Sequence, residues 1–432
     1  MTHAFLKTLL GYFAKKVLHR YKPDVIGITG SVGKTSTKDA ITLALQFHFR
    51  VQGSEKNYNT EIGVPLTILG AGHPGRSIFG WIGVFLRALR LLLTHDVQYP
   101  SILALEMGAD KPGDIDYLTK LAPCKIGVLT AISPVHLEHF GSIERLAEEK
   151  KIMYRHLSHK GVAILNAGDS AVYDAVEKIK ARVVLYGLDP DADVRVSTIE
   201  HPLRFHEGSQ DYGGIRCVIQ RGDESVSASF PRIFRMEHLS SVLAAVAVAS
   251  EYHIPLSAIV DTLHYYQAPP GRSRLLEGIK HTLLIDDTYN SSPKAAQAAL
   301  DVLADFQIEE HARRIAVLGD MKELGTHSAA YHEELGRYTA SKEIDLLVTV
   351  GPEAKRIAHA AHDAGMDEEH IEAFDIAAEA GKYMQEKLKR GDVVLVKGSQ
   401  DIRLERVVEE IMARPDQAEQ LLVRQESYWK RK

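Results

Sequence analysis

Residues Val25–Leu45 read VIGITGSVGKTSTKDAITLAL, and this stretch decides the fold class. Its opening, Val25–Thr29, is an apolar run of strand length, and its end has the composition of a helix. Between them lies Gly30-Ser31-Val32-Gly33-Lys34-Thr35-Ser36. A glycine loop between strand and helix lets backbone N–H groups face phosphate oxygens, and the helix N-terminus adds positive potential. In that setting Lys34 reaches the β and γ phosphates of a nucleotide and Thr35 ligates Mg²⁺. The strict pattern wants a glycine at position 28, where this chain has Ile28, so the match is partial in residues and complete in context. A plain glycine turn is the alternative.

Working outward, strands are predicted at Ser101–Glu106 and Ile126–Ala131, and a helix over Ile143–Leu157 that Ser142 can cap. Strands alternating with helices imply a parallel sheet covered on both faces. From Ala192 to Phe230 the pattern changes to short, alternating segments, read as an antiparallel patch, and an Ala-rich helix Leu239–Glu251 follows. Gln267–Arg274, QAPPGRSR, reads as a hinge. Beyond it strands recur at Leu283–Asp287, Arg314–Leu318, Leu346–Val350 and Val393–Val396, each followed by a helical run. The expected architecture is α/β: an N-terminal helix in 1–24, a central P-loop ATPase-type parallel-sheet domain over 25–268, and a smaller Rossmann-like domain over 269–432.

The chain has 432 residues, 45% hydrophobic and 25% charged, the balance of a globular protein. Lys plus Arg number 52 against 57 Asp plus Glu, so the basic excess of a duplex-binding protein is absent and no nucleic-acid partner is expected. Cys124 and Cys217 are too few for a disulfide framework or a four-thiolate zinc site, which fits a reducing compartment. The N-terminus does not read as a signal peptide, because Lys7 interrupts its apolar stretch and no small-residue cleavage site follows.

Three further features carry chemistry. Glu106 ends an apolar strand where open parallel sheets place their ligands, and a lone carboxylate there suits Mg²⁺, which takes few protein oxygens. A cap or surface acid is the plain alternative. His136, in HLEH, either ligates a metal or hydrogen-bonds its own loop. Ile78–Leu93, IFGWIGVFLRALRLLL, is apolar apart from Arg87 and Arg90 and shorter than the roughly 20 residues a bilayer span needs. It reads either as a helix packed on the protein's own core or as an interfacial helix with its arginines at headgroup level.

Seven blocks occur in order: GITGSVGKTSTKDA, NTEIGVPLTIL, LEMGADKPGDI, HLEHFGSIERLAEEK, DDTYNSSPKAAQAALDVL, VLGDMKELG and VLVKGSQDIRLERVV. Together they resemble the Mur ligases, and within them the branch that adds D-alanyl-D-alanine to a UDP-N-acetylmuramoyl tripeptide. The resemblance runs from Val25 to the helix after Lys397. It implies an ATP-dependent peptide ligase of cell-wall synthesis that activates a carboxylate as an acyl phosphate and joins it to an amine.

By the resemblance, Gly30 to Ser36 hold ATP, while Glu106 and His136 belong to a site for two Mg²⁺ ions. Lys150, in EEKKIMY, matches the family's lysine that CO₂ converts to a carbamate; without the family it reads as a solvated helix lysine. A carbamate supplies an anionic oxygen where a cationic lysine would repel both metals. The implied metal ligands are thus Thr35, Glu106, His136 and Lys150, and the implied catalytic set is Lys34, Glu106, His136 and Lys150. Asn59 and Thr60 match a substrate-side loop. Arg272, Asp287, Tyr289 and Asn290 match residues that close over ATP, and Lys397 lies on the side of the incoming amine. Two departures stand out: Gln400 replaces a usual arginine, and the adenine-side pattern appears only as Glu237-His238-Leu239-Ser240-Ser241.

Full-length relatives carry a UDP-sugar domain ahead of the P-loop, whereas only a helix about Phe5–Tyr21 precedes Val25 here. The expectation is a ligase without that handle, its substrate held by a separate protein or presented at the inner face of the membrane. Localisation is expected to be cytoplasmic. The competing readings are the same chemistry on another acid, such as a poly-amino-acid or glutamyl tail, and a non-catalytic nucleotide-binding scaffold.

Overall fold

A computed structural model describes residues 3–54, 58–133, 137–173, 179–206, 208, 211–426 and 429. The chain divides into two compact units. One comprises Met1–Ile199, Cys217–Ser229 and Arg235–Tyr266, and the other Glu200–Arg216, Phe230–Phe234 and Gln267–Lys432.

The first unit is built on a nine-stranded sheet. In chain order its strands are β1 (Asp24–Thr29), β2 (Val51–Gly53), β3 (Ile102–Glu106), β4 (Ile126–Leu129), β5 (Val162–Asn166), β6 (Arg182–Gly187), β7 (Val194–Glu200), β8 (Ile215–Arg221) and β9 (Glu224–Phe230). Their spatial order is β2-β3-β1-β4-β5-β6-β7-β8-β9, parallel from β2 through to β7. β1 lies between β3 and β4, and every residue of β3 and β4 is buried, which is why these strands read as unbroken apolar runs. β7 to β9 instead interleave buried positions with half-buried or exposed ones, and the Gly222-Asp223 turn joins the last two.

Helices at His3–Tyr21, Gly63–Leu69 and Ile78–Leu93 contribute to one core on this sheet, with Leu10, Ala14, Val17, Leu66, Trp81, Val84, Ala88 and Leu91 buried in it. Ser77 caps the Ile78–Leu93 helix by accepting a hydrogen bond from the Gly80 amide. The opposite face is apolar too and open: Ile78, Phe79, Ile82, Leu86, Leu89 and Leu93 are all exposed. The core reading thus accounts for one face of this helix and leaves the other uncovered. No helix among the described residues is long and apolar enough to cross a membrane.

The second unit holds a six-stranded sheet of β10 (Arg274–Gly278), β11 (Thr282–Asp287), β12 (Arg314–Gly319), β13 (Leu346–Val350), β14 (Ile371–Phe374) and β15 (Val393–Lys397). The order is β10-β11-β15-β12-β13-β14, with β10 antiparallel to β11 and the rest parallel. Separate apolar clusters fill its two faces, one around Leu300, Leu303 and Phe306, the other around Met384, Val407 and Ile411. This is the doubly wound arrangement expected from the alternation of strands and helices. β15 sits between β11 and β12, so the last strand is central and carries Lys397 to the middle of the sheet's C-terminal edge.

Candidate active site

The loop after β1 is shaped by two glycines. Gly33, with φ 84°, caps the Lys34–Leu45 helix in the left-handed region that favours glycine. A Cβ on Gly30 would lie 2.0 Å from Thr130 Oγ1, so any side chain there would displace the loop. The loop is tied down from the end of β4. The Ser31 amide donates to the Ala131 carbonyl at 2.7 Å, the Ser31 hydroxyl donates to the Ser133 carbonyl at 2.9 Å, and the Thr130 hydroxyl donates to the Val32 carbonyl. Lys34 Nζ donates to the Gly30 and Ser31 carbonyls at 2.7 and 3.2 Å, so its ammonium is held over the loop. A glycine loop with the Lys34 ammonium held over it and a helix N-terminus behind fits a nucleotide's phosphates.

Glu106 closes one side. It ends β3 next to β1 and is buried, 1% exposed. Thr35 Oγ1 donates to its Oε2 at 3.1 Å, and its own amide donates to Ser54 Oγ at 3.2 Å. The other oxygen, Oε1, accepts no hydrogen bond among the described residues; Lys38 Nζ stands 3.7 Å away. Burial raises the affinity of this carboxyl for its proton, and Lys38 and Lys34 oppose that. An orphaned buried carboxylate oxygen beside a threonine hydroxyl fits a divalent cation, which would supply the missing partner. The surface-acid alternative for Glu106 fails on burial.

Lys150 is the decisive placement. It lies in the helix Ile143–Arg155 and is only 2% exposed, not solvated. Its Nζ donates to the Gly30 carbonyl at 3.0 Å, the same oxygen that Lys34 engages. Burial, followed by the charge of Lys34, lowers its pKa from 10.5 to about 7. At neutral pH a large share of this amine is therefore unprotonated and nucleophilic, the state that reaction with CO₂ requires. Its neighbour Glu149 turns the other way and accepts from the Gly113 and Ile115 amides.

The Asn59 carbonyl accepts from the Gly108 amide at 2.8 Å, which sets Asn59 beside the turn just after Glu106. The Thr60 hydroxyl accepts from the Gly63 amide, and its carbonyl accepts from Val64, both at the start of the Gly63–Leu69 helix. His136 lies outside the described residues. Among the described residues no group of three His, Cys, Asp or Glu side chains gathers to hold a metal.

The second unit brings its own set together. β11 and β15 are in register at Asp287 and Lys397, so neighbouring strand ends carry an acid and a base, and they form a buried ion pair of 2.7 Å. Lys397 Nζ also donates to the Asn290 carbonyl at 3.0 Å. The Arg272 guanidinium lies 3.9 Å from the Tyr289 ring centroid, and the Tyr289 amide donates to the Gly271 carbonyl. Asp286, fully buried, accepts from the Gly271 amide and the Thr288 hydroxyl, and burial raises its pKa to about 6. Gln400 is exposed. In the first unit, Glu237–Ser241 falls in the opening turns of the helix Met236–Ser250, where Ser241 Oγ accepts from Thr37 Oγ1 at 3.2 Å.

Sequence reasoning missed three contributors. Lys38 stands one helical turn beyond Lys34, and that spacing of four was the available signal. It is buried between Asp39 and Glu106 and donates to the Ser54 carbonyl at 2.8 Å. Thr130 gave no signal at all. Arg424, which lies beyond the blocks that carry the resemblance, donates to the Thr288 and Tyr289 carbonyls and pairs with buried Glu405.

The Mur ligase middle domain matches residues 28–78 and 86–221, and the Mur ligase glutamate ligase domain matches residues 271–400. This chain belongs to the Mur ligase family. It is 30% identical over 405 residues to the UDP-N-acetylmuramoyl-tripeptide–D-alanyl-D-alanine ligase of Haemophilus influenzae, covering 92% of this chain and 79% of that one. Among solved structures, MurF from Acinetobacter baumannii superposes with a TM-score of 0.76 at 25% identity, over 96% of this chain and 80% of that one. MurF ligase from Thermotoga maritima in complex with ADP gives 0.71 at 28% identity, over 95% of this Mur ligase and 84% of that one.

Proposed function

We propose that this Mur ligase is an ATP-dependent amide-bond ligase that joins D-alanyl-D-alanine to a muramyl-type peptide in cell-wall synthesis. The observation that carries the reading is the convergence of Lys34, Thr35, Glu106 and Lys150 on one glycine loop, in a chain 30% identical to a ligase named for that reaction. In this reading a substrate carboxylate attacks the γ-phosphorus of ATP and ADP departs, leaving an acyl phosphate. The amine then adds to the acyl carbon, the tetrahedral intermediate expels phosphate, and the amine loses its proton as the amide forms.

The protein's part is positioning and charge stabilisation. Gly30 to Ser36 bind the phosphates, with Lys34 releasing its loop carbonyls to meet them. Thr35, Glu106, His136 and Lys150 are the residues that would hold two Mg²⁺ ions, which when bound neutralise charge on the transferring phosphoryl group. Lys150 would serve as its carbamate, an anionic oxygen ligand made from a cation. Asn59 and Thr60 are assigned to the carboxylate substrate. Arg272, Asp287, Tyr289 and Asn290 are assigned to the nucleotide and Lys397 to the amine side. Lys397 donates to the Asp287 carboxylate and to the Asn290 carbonyl, which links the two assignments.

The acceptor is read as presented at the inner face of the membrane, with the helix Ile78–Leu93, apolar on its exposed face, as the candidate contact. The test is phosphate release from ATP against nucleotide-linked and lipid-linked muramyl peptides, with D-alanyl-D-alanine as the amine. Turnover that requires both acceptor and amine supports the ligase. Turnover indifferent to both, or none with any acceptor, overturns it, and preference for a glutamyl acceptor transfers the same chemistry to another acid.

A further inference from the structure

The Ile78–Leu93 helix has two apolar faces, and only one is used. Trp81, Val84, Ala88 and Leu91 enter the core, while Phe79, Ile82, Leu86, Leu89 and Leu93 recur at helical spacing on the opposite side and are exposed. Phe79 is 86% exposed and Leu93 79%. An open apolar stripe four turns long marks a contact surface in a folded protein.

The charge around the stripe identifies what it contacts. Residues 62–95 carry Arg76, Arg87 and Arg90 and no acid, although acids outnumber Lys plus Arg in the whole chain, 57 to 52. The adjoining helix His3–Tyr21, joined through Phe13 against Phe85 and the Tyr21 hydroxyl on the Leu91 carbonyl, shows the same bias. Residues 1–23 carry Lys7, Lys15, Lys16, Arg20 and Lys22 and no acid. Lys15, Lys16, Arg20, Phe5 and Tyr12 of that helix are exposed. Beside the stripe a cavity of about 370 Å³ is lined by Leu86, Leu91, Arg87, Arg90 and Asp96. Arg87 is fixed there by its Nε donating to the Leu69 carbonyl at 2.7 Å, the end of the Gly63–Leu69 helix.

Apolar residues at the level of the acyl chains, with guanidinium groups at their edge, match an anionic bilayer. A second copy of this chain fits poorly, because a symmetric contact would bring the same cations face to face. We propose that the outer face of Ile78–Leu93, with Arg87, Arg90 and the basic helix before it, docks this protein on an anionic lipid surface, headgroup phosphate meeting the two arginines at the mouth of the cavity that they share with Asp96. This deepens the membrane-presented reading of the acceptor, yet it concerns a surface distinct from the ATP loop. The two therefore fail separately.

The test is co-sedimentation of the full chain with vesicles of phosphatidylcholine alone and of phosphatidylcholine mixed with phosphatidylglycerol. Binding is expected only to the anionic vesicles and is expected to fall as salt rises. Arg90→Glu reverses one charge near the surface and should weaken vesicle partitioning roughly 30-fold, taking each lost or added charge as about 1 kcal/mol. Phe79→Ser removes an exposed ring and should weaken partitioning without unfolding, since its side chain lies outside the core. Both variants should retain wild-type ATP turnover on soluble substrates, which separates lipid docking from ligase chemistry. Equal partitioning of wild type and both variants overturns the proposal. So does an absence of sedimentation with anionic vesicles, or a lipid-free dimer that Phe79→Ser dissociates.

Discussion

Lys150→Met replaces a buried amine by an apolar chain of similar length, and it should make the protein more stable while stopping its chemistry. The lysine's pKa falls from 10.5 to about 7 on folding, chiefly through burial. At about 1.4 kcal/mol for each tenfold change in proton affinity, this fall sets an upper bound of about 5 kcal/mol on the cost of burying the cation. Methionine avoids that cost but gives up the hydrogen bond to the Gly30 carbonyl, worth about 1 kcal/mol, and that oxygen keeps Lys34 as a donor. Relaxation around a buried charge reduces the bound further, so a net gain of about 2 kcal/mol is expected, or roughly 4–8 °C in Tm for a unit of this size.

The pH dependence carries the stronger test. The unfolded chain keeps this proton up to about pH 10.5 and the folded chain only to about 7. Folding therefore releases a proton between these limits, and wild-type stability gains from this residue as pH rises through that window. Below pH 7 both states are protonated and the cost stands at its full value. The advantage of methionine should thus be largest at or below neutral pH and be gone by about pH 9.5, where about 3 kcal/mol of the burial cost has been relieved. Urea unfolding of both proteins in CO₂-free buffer at two pH values measures it, with ATP turnover assayed alongside. A variant less stable than wild type at neutral pH, or an advantage independent of pH, refutes the burial argument. Ordinary turnover in Lys150→Met refutes the role assigned to the residue.

Lys34→Ala should lose ATP turnover by at least a hundredfold and change stability by less than about 1 kcal/mol, as turnover and urea unfolding would show. Gly30→Ala should destabilise by more than 1 kcal/mol, an order-of-magnitude figure for forcing a Cβ to within 2.0 Å of Thr130, and should weaken nucleotide binding measured by calorimetry. Glu106→Gln should raise the Mg²⁺ concentration needed for half-maximal turnover roughly tenfold or more, and an unchanged Mg²⁺ titration would remove Glu106 from the metal site. Arg424→Ala leaves Glu405 with Arg403 as its cationic partner among the described residues and removes a donor from the Thr288 and Tyr289 carbonyls; a loss of about 2–4 kcal/mol in chemical denaturation is expected.

Legibility followed burial for most strands, although β5, buried at four of its five positions, was not expected from the sequence. β1, β3, β4, β11, β12, β13 and β15 were visible because both faces of each are covered, leaving an apolar run with nothing to interrupt it. β2 has three residues and β14 only partly buried ones, so neither carries a pattern that a strand must have, and their places come from pairing with β3 and β13. The Ile78–Leu93 helix was apolar all round in sequence, and only packing could say which face the core takes.

By itself the sequence determined an α/β fold and the glycine loop between β1 and the Lys34–Leu45 helix, because strand, glycines, lysine and helix are contiguous and their physics is local. It could not place Lys150. One lysine in EEKKIMY is buried against Gly30 and its neighbour Lys151 is not, and that difference arises from the packing of the Ile143–Arg155 helix on the sheet. The same holds for Lys38 against Glu106 and for Lys397 against Asp287, cations far in sequence from part of their surroundings. A cation's protonation, partners and reactivity depend on which groups replace water around it, and tertiary structure alone decides that.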